Sequence, residues 1–345
     1  MRGAAIVALT GASVGFSCLA TTAEAASPEP TVIWGYFQGM VSSPGVLIAT
    51  QDSLKKMVPA TIKLVPINSG VAALAAMRAG SFDVVEGVGN PPVVSALAAR
   101  TPLVVVFAES YDGAGLYVNT EVIKKPADLA GQRIGDLVGS SEDYELKGYL
   151  RKNGLIDKVQ VVPFASDAAA AAAFLAGKLA AVYVDFGAGV PLMAKAGTKM
   201  WATAADIAQL GYPSLNALVV SRKFATDEKP LAQKIVCAVA AASELMVGPK
   251  KAEYFAAAAP LLGEPTDVAV KGSEMWPELT LQQQSEWLGK SGEAIADTKI
   301  VQEAYLKSAA FLLKSGVVLT IPSVGEIAAA VDPSFVEAAL NGACK

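Results

Sequence analysis

The stretch GVAALAAMRAGSFDVVEGVGNPP, residues 70–92, reads as a helix that closes on Gly80 and runs straight into a strand. Gly70–Ala79 is a small-residue helix, Gly80 suits a left-handed cap, and Phe82–Val85 is an apolar run of strand length. The same grammar returns further along, where Phe174-Leu175-Ala176-Gly177 leads into Lys178-Leu179-Ala180-Ala181-Val182. Proline follows each strand within a few residues, at Pro91-Pro92 and at Pro191, which favours a structural duplication over two unrelated αβ turns.

Working outward from these two turns, short apolar runs alternate with helical stretches, the signature of an α/β protein. Strands are predicted at Thr31–Tyr36, Thr61–Pro66, Phe82–Val85 and Leu103–Ala108, with helices at Pro44–Lys56, Gly70–Ala79 and Val93–Ala99. A second series follows, with strands at Arg133–Asp136, Val159–Pro163 and Ala181–Val184 and helices at Glu142–Lys152 and Asp167–Ala176. After Gly211-Tyr212-Pro213 the chain returns to a strand at Asn216–Ser221. It then turns helical through Leu231–Val247, Lys251–Leu261, Leu281–Ala294 and Gln302–Lys314. Two α/β lobes and a helical C-terminal cover are expected.

At 345 residues the chain has room for two ordinary domains. Its 28 Lys and Arg against 32 Asp and Glu give a net charge of −4, with no footprint for nucleic acid. Histidine is absent, which removes Ser-His and Cys-His nucleophiles, His-ligated zinc and imidazole acid-base chemistry. Arg2, the small and apolar run Gly3–Ala20 and Ala23-Glu24-Ala25 read as a cleavable secretory signal peptide over residues 1–25, so the mature protein is expected to be exported. Cys18 raises a lipoprotein reading, but Phe16 stands where small residues are expected. Two cysteines remain in the mature chain, Cys237 and Cys344, and an oxidising compartment permits them to pair.

In open α/β sheets ligands sit beyond the carboxyl ends of strands. The turns there hold Phe37-Gln38-Gly39, Glu86-Gly87-Val88-Gly89-Asn90, Glu109-Ser110-Tyr111-Asp112, Gly139-Ser140-Ser141 and Asp185-Phe186-Gly187. Gly139-Ser140-Ser141 precedes a helix and reads either as a seat for an anion or as an N-cap by Ser140, with Asp143 three residues on. Glu86 and Asp185 end strands and read either as receivers of an ammonium group or as solvated loop acids. Nothing beside them supplies a nucleophile or metal partner, so neither catalysis, a metal nor a cofactor is expected.

These pieces resemble the periplasmic solute-binding components of ABC importers for taurine, aliphatic sulfonates and nitrate. The likeness rests on Ala79–Val84 followed by Pro91-Pro92, on KPADLAGQRI at residues 125–134, and on Ser140-Ser141 with Tyr144. Gly211–Leu215 adds to it, and Val270-Lys271-Gly272 followed by LTLQQQ at residues 279–284 looks like the taurine branch. The resemblance implies the type II two-lobed periplasmic-binding-protein fold, with lobe 1 over 26–115 and 217–345 and lobe 2 over 116–216. It implies crossover segments near Ala114–Tyr117 and Pro213–Asn216, closing on a ligand in the cleft. It also implies C-terminal helices packed on the first lobe, a monomer in the periplasm, and a permease partner in the inner membrane.

On a taurine-type reading of these turns, Gln38, Asn90, Ser140 and Ser141 are expected to hold the acidic end of a sulfonate or zwitterion, with Asn216 also at the site. Asp185 or Glu86 takes the amine, while Tyr144 and Phe186 pack on the carbon skeleton. The chain departs from the taurine pattern in reading Asn90-Pro91-Pro92 for Ser-Ser-Pro, Asp185 for a Trp, and Leu215-Asn216 for Leu-Asp. An acid at 185 favours a ligand with an amine or guanidine. The alternative is therefore a cationic nitrogen compound held by Glu86, Asp136 and Asp185. Further alternatives are a ligand-presenting sensor and an enzyme on the same scaffold.

Overall fold

Small residues and serine caps start the helices, and buried β-branched runs make the strands. Ser69 and Ser166 accept the N–H groups of Ala72 and Ala169, and Gly80 and Gly177 close the two helices with φ of 81° and 72°. The computed structural model describes residues 1, 29–38, 43–291 and 300–345. The expected leader and Cys18 lie outside the described residues.

In chain order the strands are β1 (Thr31–Phe37), β2 (Thr61–Ile67), β3 (Val84–Val88), β4 (Leu103–Tyr111), β5 (Ala114–Asn119), β6 (Arg133–Asp136), β7 (Gln160–Pro163), β8 (Ala181–Asp185), β9 (Thr198–Thr203) and β10 (Leu215–Ser221). Among them run α1 (Pro44–Thr50), α2 (Asp52–Lys55), α3 (Gly70–Arg78), α4 (Asn90–Ala98), α5 (Ser141–Lys152), α6 (Asp167–Leu175), α7 (Phe186–Met193) and α8 (Ala204–Gln209). After β10 come α9 (Arg222–Asp227), α10 (Lys229–Val247), α11 (Lys251–Leu262), α12 (Thr266–Met275), α13 (Gln284–Leu288), α14 (Ile300–Lys314), α15 (Val324–Ala329) and α16 (Ser334–Ala338).

The strands form two sheets of one design, in the orders β2-β1-β3-β10-β4 and β7-β6-β8-β5-β9. In each, three parallel strands meet one antiparallel strand that lies next to a crossover. The glycine-capped turns into β3 and β8 hold equivalent places, which supports the duplication. The fold is a two-lobed α/β architecture. Sheet 1 is buried between α1, α3, α4 and the C-terminal helices, so Leu103–Ser110 is buried throughout, as a strand covered on both faces must be. The helical cover packs on this first sheet through residues such as Val236, Val239, Tyr305 and Phe335. Two smaller clusters line the second sheet, around Leu116 and Tyr183 and around Tyr117 and Phe174.

Several expectations change. Ala114–Tyr117 is not a crossover: it lies in β5 and pairs along its length with β8 and β9, so the first crossing is confined to Asp112-Gly113. Leu215 and Asn216 already pair with Tyr111 and Ser110, so the second crossing ends at Ser214. The helix expected over Pro44–Lys56 breaks at Gln51, whose backbone is extended. The helix expected from Leu281 is a single 3-10 turn followed by α13, which Gly289 ends at φ 85°.

Cys237 on α10 and Cys344 near the C-terminus are joined in a disulfide across 107 residues. Closing a loop of that length restricts the unfolded chain by up to about 5 kcal/mol, of which disulfides typically realise about 2–4 kcal/mol. Cys237→Ala with Cys344→Ala is expected to lower the Tm by several degrees. Equal melting of the oxidised protein and of the double variant would contradict this.

Candidate functional site

The carboxyl ends of the two sheets face each other across the crossovers. Gly89, after β3, stands so close to the start of α5 that a Cβ there would overlap Ser141 Oγ. Asn90, wholly buried, donates to Pro213 O at 2.6 Å and accepts from Leu215 N at 3.2 Å, so α4 is pinned to the second crossover. On one flank Tyr144 stacks edge-on against Tyr212 and Phe311; on the other Phe186 meets Trp276 at 5.1 Å.

Within this frame sit buried acids. Glu86 on β3, 1% exposed, accepts the Gly45 N–H at 2.7 Å and the Ser43 hydroxyl at the start of α1. Burial, followed by the charge of Glu278, outweighs those bonds and pushes its carboxyl up to about 7. Glu109 on β4, 2% exposed, accepts the Gly87 N–H at 2.7 Å through Oε2, while Oε1 has no hydrogen-bond partner. Burial, with Glu86 and Glu278 nearby, raises it well above the carboxylate range. Asp112 in the first crossover, 6% exposed, faces the hydroxyls of Ser141 and Ser214; burial, with Glu142 next, pushes it up to about 8.

The second lobe adds Asp185 at the end of β8, which caps α7 through the Gly187 N–H at 2.9 Å. Its carboxyl is raised by burial and then by Asp167, Asp112 and Glu142. Asp136, fully buried at the end of β6, is raised by burial and then by Asp143. Asp143 is itself tied to Lys147 Nζ at 2.5 Å.

The expected anion seat is largely occupied by the chain itself. Ser140 Oγ donates to Leu137 O at 2.6 Å and accepts from Asp143 N, and the Gly139 N–H donates to Asp143 Oδ2 at 2.9 Å. Here the capping reading describes the geometry. Gln38 is exposed beside Gly263 after α11, Asn216 is buried in β10 opposite Ser110, and Tyr144 belongs to the core that joins the lobes. Asn90, Ser141, Asp185 and Phe186 lie where the two lobes meet, Glu86 is buried in the first lobe against the start of α1, and Gln38 is exposed beside Gly263. The sequence reading did not select Glu109, Asp112, Glu142 or Asp167 as site residues. The first two were visible only as strand-end acids, and the tertiary approach of α5 and α6 to the crossover had no local signal.

Residues 61–252 match the family model described as NMT1/THI5 like. No curated protein matches the sequence. Among solved structures, the periplasmic aliphatic sulphonate binding protein SsuA of Escherichia coli is 23% identical with a TM-score of 0.70, covering 87% of this chain and 92% of that one. The alkanesulfonate-binding protein SsuA of Xanthomonas axonopodis pv. citri, bound to MOPS, is also 23% identical, with a TM-score of 0.68 over 90% of this chain and 100% of that one. The desulfurization enzyme DszB has the same architecture at 19% identity and a TM-score of 0.58, covering 90% and 99% of the two chains. At these identities the likeness is one of fold, and the fold alone hosts both binding and chemistry.

Proposed function

The chain belongs to the NMT1/THI5-like family, and from that premise we propose that it is the periplasmic substrate-binding component of an ABC importer. The observation that carries this reading is the pair of similar sheets whose carboxyl ends meet across two crossovers, with buried polar side chains supplied from both sides. A ligand between them is held by both lobes at once, so binding favours closure, and the closed form is what a permease distinguishes. The crossovers at Asp112-Gly113 and before Leu215 are the hinges. The protein acts as a monomer on an inner-membrane permease. No chemistry is required: histidine is absent, and both cysteines among the described residues are in the disulfide.

The ligand that best fits the site carries an ammonium or guanidinium group, because the buried charged side chains around it are carboxyls. A sulfonate-bearing zwitterion of the taurine kind is the second reading, supported by the fold shared with two proteins described as sulfonate-binding. Thermal unfolding of the mature protein with taurine, alkanesulfonates, nitrate, small amines and guanidines tests both. A compound at about 100 times its Kd adds about 2.7 kcal/mol to the folded state and moves the Tm by a few degrees. No shift with any compound would end the binding-protein reading.

A further inference from the structure

Resting on the reading of the cleft as a ligand site, we propose that the ligand is a dication, an alkyl diamine or amino-guanidine, with one charge seated by Glu86 and Glu109 in the first lobe and the other by Asp112 and Asp185 at the second. The first pair is set by sheet 1. Glu86 on β3 and Glu109 on β4 are brought together because the Gly87 N–H, next to Glu86, donates to Glu109 Oε2 at 2.7 Å. The second pair is set by the first crossover and by β8, where Ala114, two residues after Asp112, pairs with Asp185.

What points to a missing ligand, beyond the carboxyls themselves, is Glu109. It is only 2% exposed, yet Oε1 has no hydrogen-bond partner. A buried carboxyl oxygen without a hydrogen-bond partner is costly whichever protonation state it holds, and a polar group of a bound molecule removes that cost. The bonds the four acids do make run to hydroxyls and backbone N–H groups: Ser43 and Gly45 for Glu86, Gly87 for Glu109, Ser141 and Ser214 for Asp112, and Gly187 for Asp185. Such donors orient a carboxylate without neutralising it. The nearby lysine on α5, Lys147, is held by Asp143. Among the described residues no group of three or more His, Cys, Asp or Glu is placed to hold a metal ion, whereas an organic cation needs no such shell. The Phe186–Trp276 pair at the lobe junction adds aromatic surface suited to an alkyl chain or a cation.

A dication also explains why the acids are divided between lobes. A single ammonium serves one pair and leaves the other without a partner, whereas two linked charges supply one to each pair, the second carboxyl of each keeping its proton, and couple binding to closure.

Calorimetric titration at pH 8 with diamines from ethylenediamine to hexamethylenediamine, the matching monoamines, agmatine and taurine reads this out. One diamine length, or agmatine, is expected to bind at least tenfold tighter than its monoamine, and Glu109→Gln and Asp185→Asn are each expected to reduce that advantage to within threefold. A monoamine binding as tightly as every dication would overturn the two-charge proposal while leaving the binding-protein reading intact. Binding of taurine alone would overturn it by assigning the cleft to a zwitterion. No binding by any probe would sink both.

Discussion

The ligand-free protein is expected to lose stability as the pH rises from 5 to 8, its Tm falling by on the order of 10 °C. Glu86 has an ordinary value of 4.5 and is held up to about 7; Asp112 has an ordinary value of 3.8 and is held up to about 8. A carboxyl whose folded value lies above its unfolded value binds its proton more tightly in the folded state. Its contribution is therefore complete below about pH 4 and is lost as the pH rises through 7 and 8. Each tenfold gain in proton affinity on folding is worth about 1.4 kcal/mol, so Glu86 alone accounts for roughly 3 kcal/mol and Asp112 for more.

The groups around Glu86 are Trp34 and Tyr36 on β1, Ser43 and Gly45 at α1, Glu109 on β4 and Glu278; those around Asp112 are Gly113, Ser141, Glu142 and Glu145 on α5, Asp167 on α6, Tyr183 and Asp185 on β8, and Ser214. The titrating neighbours are all acids, so they reinforce the trend and do not reverse it. Calorimetric scans at constant ionic strength check it, and Glu86→Gln with Asp112→Asn should flatten the profile. A Tm that is level or rising across this interval would show that these carboxyls are already solvated or neutralised.

Much of the frame was legible because its periods are local. Arg133–Asp136 is a strand as expected, and the capped turns at Gly80 and Gly177 lead into β3 and β8, since a left-handed glycine followed by a β-branched run admits few alternatives. What was missed depends on tertiary partners. Ala114–Asn119 is short, carries Gly115, and has no polar alternation because both its faces are covered, so it reads as a linker until β8 and β9 pair with it. Phe186–Met193 holds Pro191 and two glycines, poor helix formers, yet it is a helix because Asp185 caps it and it packs beside α6 and α12.

The chain positions of the candidate acids were legible, their surroundings less so. Strands β3 and β8 carry Glu86 and Asp185 near their carboxyl ends and the turn after β4 carries Asp112, but whether Ser140 serves an anion or its own helix depended on where Asp143 pointed. A sequence cannot state that direction. Nor could it show that Glu109 lies against Gly87, because the strands carrying them are held apart by β10 in the sheet order.

Gly89→Val is expected to hold the lobes apart, lowering affinity for the strongest ligand of the panel by at least about 100-fold while leaving the ligand-free Tm within a few degrees of the parent. The backbone at Gly89 has φ −73° and ψ 171°, a conformation open to any residue, so the substitution adds no torsional strain. The obstacle lies wholly across the cleft: a Cβ would overlap Ser141 Oγ and lie 3.1 Å from Ser141 Cβ and 3.9 Å from Ser214 Oγ. An alanine could be admitted if the Ser141 hydroxyl rotated, at the cost of its interaction with Asp112. The second branch of valine removes that escape, since Ser141 is the first residue of α5 and its Cβ cannot retreat without the helix. In an open arrangement the clash vanishes, which is why folding should survive when binding does not. Ser141→Gly on the same background removes the obstructing atoms, and recovery of most of the lost affinity in that double variant assigns the effect to closure. Parent-like affinity in Gly89→Val would mean that the ligand binds without bringing these two turns together, and the hinge account would fail with it.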